Sequence, residues 1–275
     1  MQQGCVGMEE KMKIGFIGLG NMAKAMIGGM LQKGIVAAQD IAGSAKTQST
    51  LERMGDEFHI HTMADNRQVA KWADIIILAV KPVFFPEVIG EIKDAVTEDK
   101  LVISIAAGKS LKWIEEEFGK NIKLIRCMPN TPALVGAGCT AVCCNPRAGE
   151  EDEKFCLKLM ESFGKAIVIP ERLMDAAGAV GGSSPAFVFL FIEAMADGAV
   201  RAGMPRKQAY EFAAHAVMGS AKMVLETGMH PGELKDMVCS PGGTTIEGVA
   251  ALEEGGMRSA VMNAIHACVE KSKLL

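Results

Sequence analysis

Apolar residues along this chain follow two patterns. From Met12 to about Pro170, short apolar β-branched runs alternate with amphipathic stretches, and Ile75–Val80 is apolar on both faces, as a central strand covered on each side must be. The alternation predicts an α/β domain with a Rossmann-type doubly wound sheet. The predicted strands are Lys13–Gly18, Asp40–Lys46, Asp74–Val80, Leu101–Ala106, Lys123–Met128, Thr140–Cys144 and Lys165–Ile169.

After Pro170 the β-branched runs stop, and Ala, Met, Gly and Leu dominate, which predicts an all-α second domain. Ser184 and Pro185 suit the N-cap and first turn of a helix running towards Ala202. Four further helices are predicted after it, from Pro205 to Gly228, from Pro231, over Thr244–Glu253 and over Met257–Lys271. We therefore expect an N-terminal extension (1–11), a dinucleotide-binding domain (12–170) and a helical dimerisation domain (171–275) whose excess apolar surface favours a homo-oligomer.

Composition narrows the function classes. The 275 residues include 29 basic and 33 acidic side chains, and the balance offers no basic face for nucleic acid. The uncharged run Ala176–Ile192 is interrupted at Gly181–Pro185, so no membrane span is expected. Eight cysteines without a Cys-x-x-Cys pair or a secretory leader indicate a cytoplasmic protein, and no metal-ligand spacing such as His-Glu-x-x-His occurs.

A glycine motif, Gly18-Leu-Gly-Asn-Met-Ala23, follows the first predicted strand and opens a helix. Its small residues permit a tight turn, a close backbone approach to a pyrophosphate, and close helix–strand packing. The helix N-terminus adds free N–H groups and a positive dipole end. The motif predicts a dinucleotide site; the alternative is a structural glycine turn.

The choice between NAD and NADP depends on the end of the second strand, where an acidic residue would bind a ribose hydroxyl and repel a 2′-phosphate. Ser44 and Lys46 lie there, with no carboxylate among them. A hydroxyl and a cation favour NADPH as the donor, with NADH as an alternative. Lys46 is otherwise a solvated loop lysine.

No histidine stands out as the base that an alcohol dehydrogenase needs. This suits a small-molecule substrate that brings its own electrophilicity, such as a protonated imine. In the second domain, Ser240-Pro-Gly-Gly-Thr-Thr245 precedes a helix, and its glycines expose backbone N–H groups as an anion-binding nest. A carboxylate would suit this nest; the alternative is an ordinary Ser/Thr cap for a helix at Ile246–Glu253.

These motifs together resemble the pyrroline-5-carboxylate reductase family. The resemblance runs in order from Met12 over nearly the whole chain. It rests on Gly15–Met22, Ala79–Pro82, Ser104–Gly108, Arg126–Pro132, Ala194–Gly198, and Leu234–Thr245 followed by Gly248 and Leu252-Glu253. It implies reduction of 1-pyrroline-5-carboxylate to L-proline with NAD(P)H, the last step of proline biosynthesis. It also implies a homodimer interleaved through the helical domains, and often a larger assembly of dimers.

The resemblance also assigns site residues by position. The pyrophosphate would be held by Ile17, Gly18, Leu19, Gly20, Asn21 and Met22, and the adenosine and ribose by Asn66, Ala79, Val80, Lys81 and Pro82. The nicotinamide would be lined by Ile105, Ala106, Ala107, Met128 and Asn130. The resemblance places the substrate at Glu171, Gly243, Thr244 and Thr245. The nest adds Ser240 and Gly242, and the chemistry of these residues predicts that backbone N–H groups take the carboxylate while the Thr245 hydroxyl, the expected catalytic group, reaches the ring nitrogen.

The chain departs from the family pattern at two places. Many relatives have Ser-Gly-Ser-Gly where this chain has Gly181-Gly-Ser-Ser184, and some have Asn at the position of Met237.

Two other functions are alternatives. A β-hydroxyacid dehydrogenase would show a catalytic lysine, which Pro185–Phe189 lacks. A non-catalytic NADP-binding scaffold would show a damaged nest, whereas Ser240–Thr245 is intact.

Overall fold

The computed structural model describes residues 12–274, so the predicted extension 1–11 lies outside the described residues. The chain forms two compact units, one made of residues 12–182 with 269–274 and the other of residues 183–268. The boundary that the sequence predicts at Pro170 stays a prediction.

The first unit is built on one eight-stranded sheet in the order β3-β2-β1-β4-β5-β6-β7-β8. The strands are β1 (Ile14–Ile17), β2 (Ile41–Ser44), β3 (His61–Met63), β4 (Ile75–Leu78), β5 (Leu101–Ser104), β6 (Lys123–Met128), β7 (Gly138–Cys144) and β8 (Gly164–Val168). The strands β1 to β6 all run parallel, which confirms the predicted doubly wound sheet. Its helices are α1 (Asn21–Gln32), α2 (Gln48–Phe58), α3 (Asn66–Trp72), α4 (Phe85–Ile92), α5 (Leu111–Phe118), α6 (Glu150–Met160) and α7 (Met174–Ala177).

Two separate hydrophobic cores cover the faces of this sheet. Successive side chains of a strand point to opposite faces, and in β4 this places Ile75 and Ile77 in one core and Ile76 and Leu78 in the other. All four are buried. A strand that is apolar at every position is therefore explained by helices packed on both sides.

The last two strands depart from the parallel pattern, because β6 and β7 pair antiparallel while β7 and β8 pair parallel. The connection 129–137 contains only a 3-10 turn, Thr131–Val135. A parallel crossover needs a dozen or more residues. This short link therefore returns the chain in the opposite direction.

The remaining helices are α8 (Ser184–Arg201), α9 (Arg206–Thr227), α10 (Pro231–Val238), α11 (Thr244–Glu254) and α12 (Met257–Ser272). Their bounds agree with the predicted helices to within a few residues. The predicted capping role of Ser184 is wrong, because a π-helical segment, Gly178–Ser183, leads directly into α8 and Ser183 already has helical backbone angles.

The expected interruption of the apolar run at Gly181–Pro185 is also wrong. Helix continues from Glu171 to Arg201, and by length and composition alone this one helix of residues 12–274 is apolar enough to cross a membrane. Only 11% of its most apolar stretch is buried within the chain. Its apolar side chains therefore need a cover that this single chain does not supply.

Candidate functional site

The glycine loop lies where β1 meets α1, and its two glycines have different surroundings. Gly18 has a φ of +100°, and a Cβ atom there would lie 2.8 Å from the carbonyl oxygen of Ala79. Its N–H donates to the carbonyl of Ser44 at 3.0 Å. A Cβ at Gly20, the residue before α1, would meet nothing within 4 Å. Gly18 is therefore needed for the fold of the loop itself, whereas Gly20 leaves the N-terminus of α1 open to a ligand.

An open cleft of about 870 Å³ lies beside this loop. The predicted site residues that line it are Gly18, Leu19, Gly20, Ser44, Lys46, Asn66, Val80 and Lys81. The cleft has the volume of a ligand pocket. Its position, at the carboxyl ends of parallel strands where the strand order reverses, is where such folds bind nucleotides. The residues present therefore fit a dinucleotide.

Other predicted cofactor residues lie outside the lining of this cleft: Ile17, Asn21, Met22, Ala79, Pro82, Ile105, Ala106, Ala107, Met128 and Asn130. Asn130 has a structural use for its side chain, which donates to Gly181 O at 2.9 Å and accepts from the N–H of Cys139 at 2.8 Å. A nicotinamide contact from Asn130 would therefore come from its backbone.

Several lining residues were not anticipated: Ala45, Thr47, Thr50, Ala64, Asp65, Arg67, Phe84, Glu87, Val88 and Glu91. Two of them could have been predicted from the sequence, because Glu87 and Glu91 are four residues apart and so lie on one face of α4. That helix directly follows Ala79–Pro82, which the sequence had already assigned to the nucleotide.

A chain of polar contacts runs through the cleft from Ser44 to Glu91. The amide of Asn66 donates to Glu91 Oε2 at 2.6 Å, because a carboxylate only accepts. This orientation turns Asn66 Oδ1 towards Ser44, whose hydroxyl donates to it at 2.6 Å. The Ser44 proton is thereby committed to Asn66, and Ser44 is 1% exposed, so its hydroxyl has no free proton for a phosphate.

The Lys46 side chain is 67% exposed and has two neighbours within the cleft lining. Its Nζ lies 4.1 Å from the centre of the Phe84 ring and 3.7 Å from Glu87 Oε2. All three side chains line the cleft. An aromatic face and a carboxylate thus lie beside a largely exposed cation at the end of β2.

Glu171 makes contacts inside its own unit. Its Oε1 accepts from the N–H of Leu111 at 2.7 Å and from Arg126 Nη1 at 3.2 Å. Arg126 is buried in β6, and Asp175 is its second carboxylate, at 3.9 Å. The pKa of the nearby Cys143 thiol is raised to about 11. Burial is the main cause and the negative charge of Glu171 adds to it, whereas the positive charge of Arg126 lowers this pKa. The substrate role of Glu171 stays a prediction, and its contacts are those of a partner for a buried cation.

The glycine turn of the second unit leads into α11, and its role as an anion-binding nest stays a prediction. The N–H of Gly243 donates to Ser240 O at 3.0 Å, and Gly242 has a φ of +66°, as the third residue of a type II turn requires. Gly243 has extended backbone and precedes α11 without a side-chain cap. The ordinary Ser/Thr cap considered from the sequence is therefore wrong, and the first-turn N–H groups of α11 lack intrahelical partners. Thr244 and Thr245 open this turn of helix.

The sheet, the open glycine loop and the helical second unit define a dinucleotide-dependent oxidoreductase. Known proteins agree: residues 13–108 match a model described as "NADP oxidoreductase coenzyme F420-dependent", and residues 171–275 match one described as "Pyrroline-5-carboxylate reductase dimerisation". The chain is 52% identical to pyrroline-5-carboxylate reductase of Escherichia coli, over 96% of this chain and 98% of that protein. The chain belongs to the pyrroline-5-carboxylate reductase family, as its sequence motifs predict.

Solved structures give the same result at the level of the fold. A pyrroline-5-carboxylate reductase from Coxiella burnetii superposes with a TM-score of 0.89 at 34% identity, covering 96% of this chain and 98% of that chain. The Plasmodium falciparum pyrroline carboxylate reductase, solved with NADP bound, has a TM-score of 0.87 at 35% identity and the same coverage.

Proposed function

We propose that this chain reduces 1-pyrroline-5-carboxylate to L-proline with NADPH, and with NADH as an alternative donor. One observation carries the proposal: the chain combines an open glycine loop beside a cleft of about 870 Å³ with a helix, α11, whose N-terminus has no side-chain cap. The first suits a pyrophosphate, and the second suits a carboxylate. A cyclic imine acid reduced by a nicotinamide needs both.

The first unit holds the dinucleotide. Gly18 to Met22 receive the pyrophosphate at the N-terminus of α1, and Asn66 and Ala79–Pro82 lie on the adenosine and ribose side. Ile105–Ala107, together with the backbone from Met128 to Asn130, lines the nicotinamide. When bound, the reduced nicotinamide supplies a hydride to the imine carbon.

The second unit holds the substrate. The first-turn backbone N–H groups of α11, from Thr244 and Thr245 onward, take the carboxylate, which sets the face of the ring that meets the donor. The hydroxyl of Thr245 accepts from the protonated ring nitrogen. The imine is protonated before or on binding, so no further general acid is required, and the main contributions are orientation and exclusion of water.

A second copy of the chain completes the enzyme. The second unit exposes large apolar side chains that a soluble monomer rarely presents together, among them Phe189, Leu190, Phe212, Leu225 and Met262. They lie in the segment that matches the dimerisation model. We therefore assign the exposed apolar helix surface to a homodimer interface of a soluble cytoplasmic enzyme, and not to a membrane.

Initial rates with pyrroline-5-carboxylate, measured with NADPH and with NADH, test the proposal. We expect saturable oxidation of the nicotinamide that depends on the imine, and proline-dependent nicotinamide reduction at high pH. A purified protein that binds NADPH but is inert in both directions would favour the scaffold alternative. Oxidation of β-hydroxyacids in place of proline would favour the dehydrogenase alternative.

A further inference from the structure

The nucleotide cleft carries balanced charge. Its lining residues include three cations (Lys46, Arg67 and Lys81) and three carboxylates (Asp65, Glu87 and Glu91). A 2′-phosphate brings about two negative charges, and a site specific for it normally offers uncompensated cations.

Two of the carboxylates are committed to the protein. Asp65 caps α3 by accepting from the N–H of Arg67 at 2.9 Å, and Glu91 accepts from the Asn66 amide. Glu87 is different, because its described charged partner is Lys46, at 3.7 Å. Lys46 is the cation at the end of β2. In this fold, the 2′-hydroxyl of the adenosine ribose, or the 2′-phosphate that replaces it, lies at that position.

We propose that Glu87 is a specificity-determining residue, which lowers the preference of this cleft for a 2′-phosphate over a free 2′-hydroxyl by competing for Lys46. The inference rests on the proposed function. A bound 2′-phosphate meets a lysine whose charge is already partly neutralised, and it also meets the repulsion of the Glu87 carboxylate. A 2′-hydroxyl meets neither cost. The cleft thus admits both dinucleotides, and Glu87 sets the ratio.

A binding experiment isolates this effect, with adenosine 2′,5′-bisphosphate and 5′-AMP as probes that differ only in the 2′-phosphate. Titration calorimetry of Glu87→Gln should show bisphosphate affinity raised by about fivefold, the scale of one solvated charge interaction with a dianion. Binding of 5′-AMP should change by less than about twofold, and the gain should shrink in 0.5 M salt because exposed charges are screened. The KM for NADPH should fall relative to that for NADH.

Two further variants make the test decisive. Glu161→Gln removes a carboxylate from another exposed pair, with Lys165 at 3.1 Å, outside the cleft, and should leave both probes unchanged. Lys46→Met should weaken bisphosphate binding and spare 5′-AMP. If Lys46→Met does so while Glu87→Gln matches the wild type, the inference about Glu87 fails and the proposed function stands. If the wild-type protein binds neither probe, the proposed nucleotide site itself is wrong.

Discussion

Arg126 on β6 and Glu171, at the start of the helical segment that follows the sheet, form an ion pair. The guanidinium is buried, and its Nη1 lies 3.2 Å from Glu171 Oε1, which also accepts from the N–H of Leu111. A buried cation needs such a partner, since an uncompensated charge in the interior is costly. This contact gives Glu171 a structural function whether or not substrate reaches it.

Replacing Glu171 should therefore affect stability first. We expect Glu171→Ala to lower the free energy of unfolding by about 2 kcal/mol, because Arg126 keeps only the more distant Asp175. Glu171→Gln, which retains an acceptor for the Leu111 N–H, should lose less. Urea unfolding of the two variants checks this. An unchanged unfolding midpoint together with a raised KM for the imine would instead assign Glu171 to substrate binding.

The two glycines of the loop should respond differently to the same change. In Gly18→Ala, the new methyl group meets the Ala79 carbonyl oxygen at 2.8 Å and the backbone is strained, so we expect a loss of about 2–4 kcal/mol. In Gly20→Ala, the methyl group meets no protein atom, and only the helix cap weakens, by about 1 kcal/mol.

Nucleotide binding separates the two effects. We expect Gly20→Ala to weaken NADPH binding by about tenfold or more, because its methyl group occupies the space that a pyrophosphate needs. Calorimetry on the folded variant measures this, and thermal melting of both variants supplies the comparison. Wild-type NADPH affinity in Gly20→Ala would place the pyrophosphate elsewhere.

How much the sequence predicts depends on how local the determining interactions are. The helices of the second unit begin at Arg206, Pro231 and Thr244, within one residue of the predicted starts, because proline and glycine fix the backbone at those points. The glycine loop is equally local. The π-helical segment Gly178–Ser183 was not predicted. Ser184-Pro185 has the local sequence of a helix start, but in the structure it lies within a helix that has already begun.

The charges of the cleft were harder to predict, because they depend on the sheet order. Glu87 lies 41 residues from Lys46, and their contact requires β1, β2 and β4 to be neighbours. Ser44 shows the same limit. Its hydroxyl alone favours a phosphate ligand. In the structure that hydroxyl donates its proton to Asn66, whose orientation is fixed by Glu91, so the proton is not available to a phosphate.

Thr245 is the residue on which the proposed chemistry of the second unit depends most. We expect Thr245→Ala to lower kcat/KM for pyrroline-5-carboxylate by about ten- to a hundredfold, the size of one lost oriented hydrogen bond. Thr245→Ser keeps the hydroxyl and should recover most of the activity. Steady-state rates at saturating NADPH test both variants, and an unchanged kcat/KM in Thr245→Ala would remove this side chain from the mechanism.

Cys143 should be inert in the folded protein at neutral pH. Its pKa is raised to about 11, so the thiol stays protonated where an exposed cysteine begins to ionise. The unfolded chain loses this proton near its ordinary pKa of 9.0, so the contribution of Cys143 to stability falls as the pH rises from about 9 to 11. Iodoacetamide at pH 8, followed by mass spectrometry, should label Cys143 only after urea is added. Rapid labelling of the native protein would contradict this.

The exposed apolar surface of the second unit leads to the last prediction. Phe212 is 68% exposed and Leu225 is 84% exposed, both on α9, and the proposed homodimer buries them. A charge at a buried apolar contact is strongly unfavourable, so we expect Phe212→Glu to weaken self-association by about thirtyfold or more. Val135→Glu changes an apolar residue that is 81% exposed and lies outside the dimerisation segment, and it should leave association unchanged. Light scattering across a dilution series measures the mass, and imine reduction should fall with the dimer fraction. A Phe212→Glu protein that keeps the wild-type mass would show that this face of α9 lies outside the interface.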